Sequence, residues 1–310
     1  MTAISTLWNC DRHTDGEALL SELRTLGLTA IEVSAGAKIS QFPGFRRVLH
    51  AGRIRVVSLA NFSPLPIDSP VVGLGEGQLT SSTGALRERA LDWTRITIDY
   101  AASLEASFVV LQLGPTGLRG VTRELFRQVR AGGLHSRRFV ATKLDGIRER
   151  EQLGEAWLGR ARRSLENLVP FAAARGIRLA LSGGEGLEEG PTEEEMTRLL
   201  SEFGRDGTVG YWHDFAGTQK KANLGFLDHA QWLTERRGQL FGCHASDVKW
   251  PDAGGCVPLS GMIDFETLMP LLPPGCPVVW NVAPRHRAAE LRQMLPAWEE
   301  RFSPGRMTAS

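Results

Sequence analysis

Long apolar runs are absent from this chain of 310 residues. No stretch approaches the roughly 18 consecutive apolar residues of a membrane helix. The start, MTAISTLWNCDRHTDGEALL, has neither the basic opening nor the continuous apolar segment of a signal peptide. A cytoplasmic protein without a membrane partner is therefore expected. Cysteine is sparse as well: Cys10, Cys243, Cys256 and Cys276 are scattered with no C-x-x-C pair, which argues against a disulfide framework or a structural zinc site and for reduced thiols. An excess of one charge is also missing. The 36 Lys and Arg nearly balance 35 Asp and Glu, leaving a formal net charge of +1, so no overall field draws nucleic acid or an anionic surface. A phosphate loop G-x-x-x-x-G-K-S/T, a strand-linked G-x-G-x-x-G, a G-x-S-x-G elbow and an H-E-x-x-H helix are all absent. Nucleotide-binding, hydrolase and zinc-protease readings thus have no sequence support.

What is present is an ordinary globular composition, 42% apolar and 23% charged, on a chain long enough to bury a large core. Short apolar or β-branched runs recur at Ile4–Trp8, Ala30–Val33, Ile54–Leu59, Phe108–Leu113, Ile177–Leu181, Val209–Trp212, Leu240–Cys243 and Val278–Val282. Between most of them the apolar residues repeat at helical spacing, as in Leu19, Leu23 and Leu26, or Trp157, Ala161, Leu165 and Leu168. Eight strands alternating with helices predict one closed parallel (β/α)8 TIM barrel over residues 1–302, with 303–310 as a C-terminal tail. Thr192 and Glu195 form a T-x-x-E box that starts a helix, and Asp264 is expected to cap another. Ser63–Thr83 and Pro115–Glu155 are long connections, the second with room for two helices, and loops of that length on a barrel are lids or insertions.

In such barrels chemistry sits where the strands end. The residues there are Trp8, Asn9, Glu32, Asn61, Gln112, Ser182, Asp214, His244, Asp247 and Asn281. Trp8, Asn9, Asn61, Gln112, Lys221, Trp280 and Arg285 are the candidate substrate-binding set, with Trp8, Trp212, Trp250 and Trp280 as an aromatic rim.

The runs Gly210-Tyr211-Trp212-His213-Asp214-Phe215, Gly242-Cys243-His244-Ala245-Ser246-Asp247 and Pro258-Leu259-Ser260-Gly261-Met262-Ile263-Asp264-Phe265 resemble the last third of the sugar phosphate isomerase/epimerase family, the xylose isomerase-like barrels. Residues 223–229 and Ala283-Pro284-Arg285 fit the same group. The resemblance implies a divalent metal (Mn, Mg, Co or Zn) held by Glu, Asp, His and Glu at the ends of strands five to eight, where the glutamates also move protons beside a sugar carbonyl. Here the four positions read Ser182, Asp214, His244 and Asn281. Three carboxylates have become one, so the resemblance implies a degenerate metal site with a remnant Asp214–His244 pair and at most a weakly bound cation. Histidines that related sequences favour are replaced by Ala35, Gln112, Gly217, Ser246 and Gly255, which empties the surroundings of the site too.

Each retained residue has a structural alternative. Asp214 is either a helix cap or a remnant ligand. His244 without carboxylate partners reads as a hydrogen-bonded strand histidine, and His213, one position along, belongs on the opposite side. Glu32 needs a partner inside the mouth, for which Lys143, Lys221 or Arg285 is expected. Glu32, Glu185 and Asp247 are the candidate substitute carboxylates for a rebuilt catalytic site. Glu185 sits on a glycine-rich loop, Ser182-Gly183-Gly184-Glu185-Gly186, flexible enough to swing inward, although a solvated loop residue is the preferred reading. From Arg119 to Arg150 there are nine Lys or Arg against three Asp or Glu, a block that either binds phosphate or faces the acidic loop 185–195; the second is preferred.

The sequence thus predicts a pseudoenzyme-like barrel that binds a small sugar or sugar derivative, with a homo-oligomer or an active paralogue as the possible protein partner. An active isomerase or epimerase with a rebuilt site is the alternative. A DNA-repair endonuclease on the same barrel is disfavoured by the missing metal ligands and the balanced charge.

Overall fold

A parallel sheet covered on both faces needs short, almost continuously apolar strands, and the recurring runs meet that need. The computed structural model describes residues 2–65 and 79–302. Its barrel strands are β1 (Thr2–Ser5), β2 (Ala30–Val33), β3 (Arg55–Ala60), β4 (Phe108–Gln112), β5 (Arg178–Ser182), β6 (Val209–Asp214), β7 (Leu240–Ala245) and β8 (Val278–Trp280). They pair in parallel in chain order, and β8 closes on β1 through Thr2 opposite Val278 and Ala3 opposite Val279. This is the (β/α)8 barrel read from the sequence. The first strand stops short of its apolar run, because Ser5 Oγ accepts from Leu7 N (3.4 Å) and Thr6–Trp8 turns into a 3-10 helix. Residues 66–78 of the long connection and the tail 303–310 lie outside the described residues.

The covering layer comprises α1 (Gly16–Arg24), α2 (Phe42–His50), α3 (Gly84–Ser103), α4 (Val121–Arg130), α5 (Arg137–Ala173), α6 (Glu193–Phe203), α7 (Phe215–Asn223), α8 (His229–Arg236), the single turn α9 (Phe265–Leu268) and α10 (Ala288–Phe302). Thr192 and Glu195 form the expected reciprocal box at the start of α6, and Asp264 caps α9 through Thr267 N. The basic segment folds into α4 and the first part of α5, which runs for 37 residues. It does lie against the acidic loop. Arg150 and Glu195 form a buried ion pair of 2.6 Å, and Glu188 accepts from Thr122 N at 2.8 Å. Of the other basic residues, Arg127 and Arg148 pair within their own helices with Glu124 and Asp145, Arg138 reaches from α5 to Glu124 on α4, and Arg130 pairs with Asp252.

Besides a small cluster of Leu125, Phe126, Val129, Phe139 and Leu224 at α4, α5 and the end of α7, two apolar clusters divide the molecule. The larger joins the outward strand faces to the helices. The smaller is the barrel interior: Ala3, Ala30, Val57, Phe108, Val110, Ala180, Trp212 and Val279, with Phe241 against it. Two glycines make this interior possible. A Cβ on Gly242 would meet Trp212 Cζ3 at 2.3 Å, and one on Gly210 would meet the Phe241 ring at 2.6 Å. Large rings from β6 and β7 therefore fill space that side chains at those glycines would take. Trp212 lies between Phe108 (ring centroids 5.9 Å) and His244 (5.4 Å) and forms the floor beneath the mouth.

Gly242→Val is expected to lower stability by about 1–3 kcal/mol or more through overpacking, measured by urea unfolding at unchanged slope. Gly84→Ala at the start of α3, where an added Cβ meets nothing within 4 Å, is the control and should stay within about 0.5 kcal/mol of the parent.

Candidate functional site at the barrel mouth

Side chains two positions beyond the interior cluster share its inward face. That rule places Ser5, Glu32, Gln112, Ser182, Asp214 and Asn281 around the mouth. Register adds Ser58 opposite Glu32, reached through a bulge between β2 and β3, and His244 opposite Asp214. Gln112 lies opposite Ser182, and Asn281 N bonds Ala245 O at 3.1 Å on the neighbouring strand. The four positions of the implied metal site are thus adjacent on the inner face, at the ends of β5 to β7 and just past β8.

Glu32 and His244 meet across this ring although 212 residues separate them in sequence. His244 Nε2 stands 3.0 and 2.9 Å from the two carboxylate oxygens of Glu32. Ser58 Oγ donates to Glu32 Oε2 at 2.8 Å. Glu32 is 1% exposed and His244 8%. Burial alone would pull the imidazole down, but the Glu32 charge, its hydrogen bond and the more distant Asp214 charge outweigh it and raise His244 above its ordinary value. A buried carboxylate is tolerated when paired and hydrogen-bonded, and here both conditions are met. Lys143, Lys221 and Arg285, the partners expected for Glu32, are all engaged elsewhere. Lys143 Nζ donates to the carbonyls of Leu224 and Gly225, Lys221 pairs with Glu193, and Arg285 donates to Gly254 O.

Asp214 is a helix cap. Its Oδ1 accepts from Ala216 N (3.0 Å) and Gly217 N (3.2 Å) at the start of α7, the arrangement that satisfies orphan amides and suits the helix dipole. Gly217 leaves room above that turn: its Cβ would come within 3.2 Å of Asp214 Oδ2 and 3.4 Å of Glu185 Cγ. Glu185 passes over this gap to Lys220, at 2.6 Å. Glu185 is half exposed on the rim, as a solvated loop residue would be, and does not enter the ring. Gly184, Gly186 and Gly190 are sites of close packing against Glu189, Thr122 and Trp157, and short pairing of Gly114–Pro115 with Glu189–Gly190 holds the loop to the rim. Beside it a cavity of about 50 Å³ is lined by Gln112, Gly183, Gly184 and Glu189, among others.

Several other sequence candidates hold structure. Asp247, fully buried, accepts from the backbone N–H groups of Val248, Gly261 and Ile263 and so shapes the 257–263 turn. Asn9 bonds Leu19 O and Glu22, and Asn61 bonds Thr94. Trp8 is buried, donates to His286 O and is covered by Arg12 at 4.1 Å. Trp280 follows inward-facing Val279, so it faces the helices and packs on Trp298 (5.6 Å). Trp212 forms the floor, and of the four expected rim tryptophans Trp250, 52% exposed, is the one in solvent. Among the described residues Gln112 and Asn281 have side chains without a hydrogen-bond partner, and the hydroxyl of Ser182 has only Gly183 O at 3.5 Å.

Behind the mouth runs a buried polar chain that sequence reading reduced to a core role for His213. Trp232 Nε1 can only donate, and it does so to Tyr211 OH (2.9 Å), which reaches His213 Nδ1 (3.0 Å). His213 Nε2 faces His229 Nε2 (3.0 Å), and His229 Nδ1 faces Gln219 Oε1 (2.9 Å). With Gln219 Nε2 donating to Asn223, His229 donates from Nδ1 to Gln219 Oε1, and the chain accommodates both imidazoles in the neutral form. Burial, with each other's proximity and Lys221, holds His213 well below its ordinary value; burial, only partly opposed by Asp228, pushes His229 down to about 4. The paired histidines at 213 and 229 were the available signal for this chain.

The fold and its inward ring define a TIM barrel with a polar C-terminal mouth. A family model described as the xylose isomerase-like TIM barrel matches residues 20–274, and the chain belongs to that family. Among solved structures it is similar to an L-ribulose 3-epimerase (TM-score 0.68, 14% identity, 99% of this chain and 96% of that chain). It is similar also to the 3-keto-D-glucoside 4-epimerase YcjR from E. coli (TM-score 0.66, 15% identity, 96% and 98%) and to the IOLI protein with a bound zinc atom (TM-score 0.66, 14% identity, 97% and 99%). At these identities the likeness is one of fold. No curated protein matches the chain. The metal that such a family implies meets a poor donor set in this chain: His244 Nε2 faces Glu32, Asp214 has one oxygen taken by two amides, and Ser182 and Asn281 are neutral. Among the described residues no group of three or more His, Cys, Asp or Glu is arranged to hold an ion. These residues do not fit a hard divalent cation.

The neutral histidine pair sets a pH dependence of folding. A group charged in the unfolded chain near 6.5 but not until about 4 when folded contributes stability above pH 6.5 that is lost as pH falls toward 4. Urea unfolding at pH 5 should give a stability about 2 kcal/mol below that at pH 7 from His229 alone, and His229→Gln should remove that slope. An unchanged slope in the variant would contradict the assignment.

Proposed function

We propose that this chain binds a small neutral sugar or sugar derivative at the C-terminal mouth and lacks the metal-dependent isomerase or epimerase chemistry. The observation that carries the reading is the Glu32–His244 contact, because it commits the one imidazole at the implied metal position to an internal carboxylate. The net charge of that pair is zero when the imidazole is protonated, whereas a divalent cation is held by a surplus of negative charge. Gln112, Ser182 and Asn281 add amide and hydroxyl groups, which match the alternating donors and acceptors of a polyol. Lys220 and Lys221 are paired with Glu185 and Glu193, so neither offers an uncompensated charge for a sugar phosphate. A solved D-allulose 3-epimerase in complex with D-allulose shares the fold at 14% identity, which supports the ligand class by analogy alone. Among the described residues no helix is long and apolar enough to cross a membrane, and a cytoplasmic location is part of the proposal.

A second reading rests on the same pair. Glu32 is the one proposed substitute carboxylate at the ring that contacts His244, so a rebuilt isomerase would move protons there without a metal. Solvent deuterium would then enter the carbon-bound positions next to a ketose carbonyl, and its absence after prolonged incubation removes that reading.

Calorimetric titration of the purified protein with Mn²⁺ should give no saturable heat. Titration with neutral ketohexoses should give weak binding that Gln112→Ala together with Asn281→Ala lowers by about tenfold or more, since each lost polar contact is worth about 1 kcal/mol. Micromolar Mn²⁺ binding by the unaltered chain would overturn the proposal.

A further inference from the structure

The neutral residues at positions 182 and 281 explain why a cation would be held weakly, but not why His244 points its nitrogen away from one. Glu32 supplies that explanation. Its two oxygens both lie within 3.0 Å of His244 Nε2, and Ser58 Oγ fixes one of them. The carboxylate is 1% exposed, with no other described side chain bonded to it. To ligate a cation through Nε2, His244 must give up the proton it shares with Glu32, which leaves the buried carboxylate with the Ser58 hydroxyl alone unless it too turns to the cation. Breaking a buried pair from one side is strongly unfavourable, more so than never having formed it. The floor adds a steric limit, since Trp212 stacks edge-on beneath the imidazole at 5.4 Å and confines the ring to its present seat.

We propose that Glu32 is the specificity-determining residue that closes the mouth to divalent cations, acting as an internal ligand that competes for His244 Nε2. The inference rests on the metal-free reading above and goes one step further. It says that restoring glutamates at 182 and 281 is insufficient, because the competing carboxylate must also go. Second-sphere partners that hold a ligand correctly change metal affinity by about 10–100-fold, and a partner that holds it wrongly should cost a similar factor.

The test compares four full-length proteins: the parent, Glu32→Gln, Ser182→Glu with Asn281→Glu, and the triple variant carrying all three changes. Binding of Mn²⁺ alone is read by loss of the free-ion electron paramagnetic resonance signal and by calorimetry, with circular dichroism as the check on folding. The parent and Glu32→Gln should leave the signal unchanged. The triple variant should bind about 10–100-fold more tightly than the double variant. If Glu32→Gln impairs folding in that background, Glu32→Met fills the same space without a charge and answers the same question. Equal or tighter binding by the double variant, or no binding by either, overturns the inference while leaving the metal-free reading intact. Tight binding by the parent overturns that reading instead.

Discussion

A carboxylate placed inside a barrel mouth must be neutralised within reach of its own oxygens, and this requirement organises the site. Glu32 is on β2 and His244 on β7, and barrel closure lets their side chains meet across the ring. Their bond satisfies the buried charge, and Ser58 on the adjoining strand completes the acceptor's coordination. Once His244 is held this way, Asp214 has no ligand partner and serves α7 through the two amides it caps. Glu185 then runs over Gly217 to Lys220.

Packing below the ring supports the same arrangement. An inward tryptophan on β6 is possible because the neighbouring inward position on β7 is Gly242, and Phe241 fills the interior because Gly210 leaves space. These rings raise a solid floor directly beneath His244. Close-packed interiors tolerate little displacement, so the imidazole is seated from below and tied from the side. On the far face of β6 the donor chain from Trp232 through His213 and His229 to Gln219 fixes the strand against α7 and α8. A strand with both faces so committed carries Asp214 at its end in a single position.

Much of the fold was legible from local pattern. Apolar runs marked the eight strands, and the T-x-x-E box and Asp264 marked helix starts, because those signals act over a few residues. The side-chain register was less legible. Trp280 and Asn281 were both assigned to the mouth, yet adjacent strand residues face opposite ways, and Val279 in the interior cluster sends Trp280 outward. Glycines at 184 and 186 read as flexible in sequence; in the fold they are places where Glu189 and Thr122 approach too closely for a Cβ, as Trp157 does at Gly190. The partner of Glu32 was sought among lysines and arginines because their charge is permanent. A histidine 212 residues away becomes the partner only when the barrel closes, and it is that carboxylate which raises the proton affinity of the imidazole.

Family membership describes the scaffold, while what the scaffold does is decided by its mouth. There the retained aspartate and histidine are both engaged by other parts of the protein, and the groups left open are an amide at Gln112, another at Asn281 and a hydroxyl at Ser182. Crystals soaked in Mn²⁺ and measured at the manganese absorption edge test the central claim most directly. The account predicts no anomalous peak inside the ring and an intact contact of about 2.9 Å between Glu32 and His244. An anomalous peak bound by His244 and Asp214, with Glu32 turned away or joining the ligands, would contradict it.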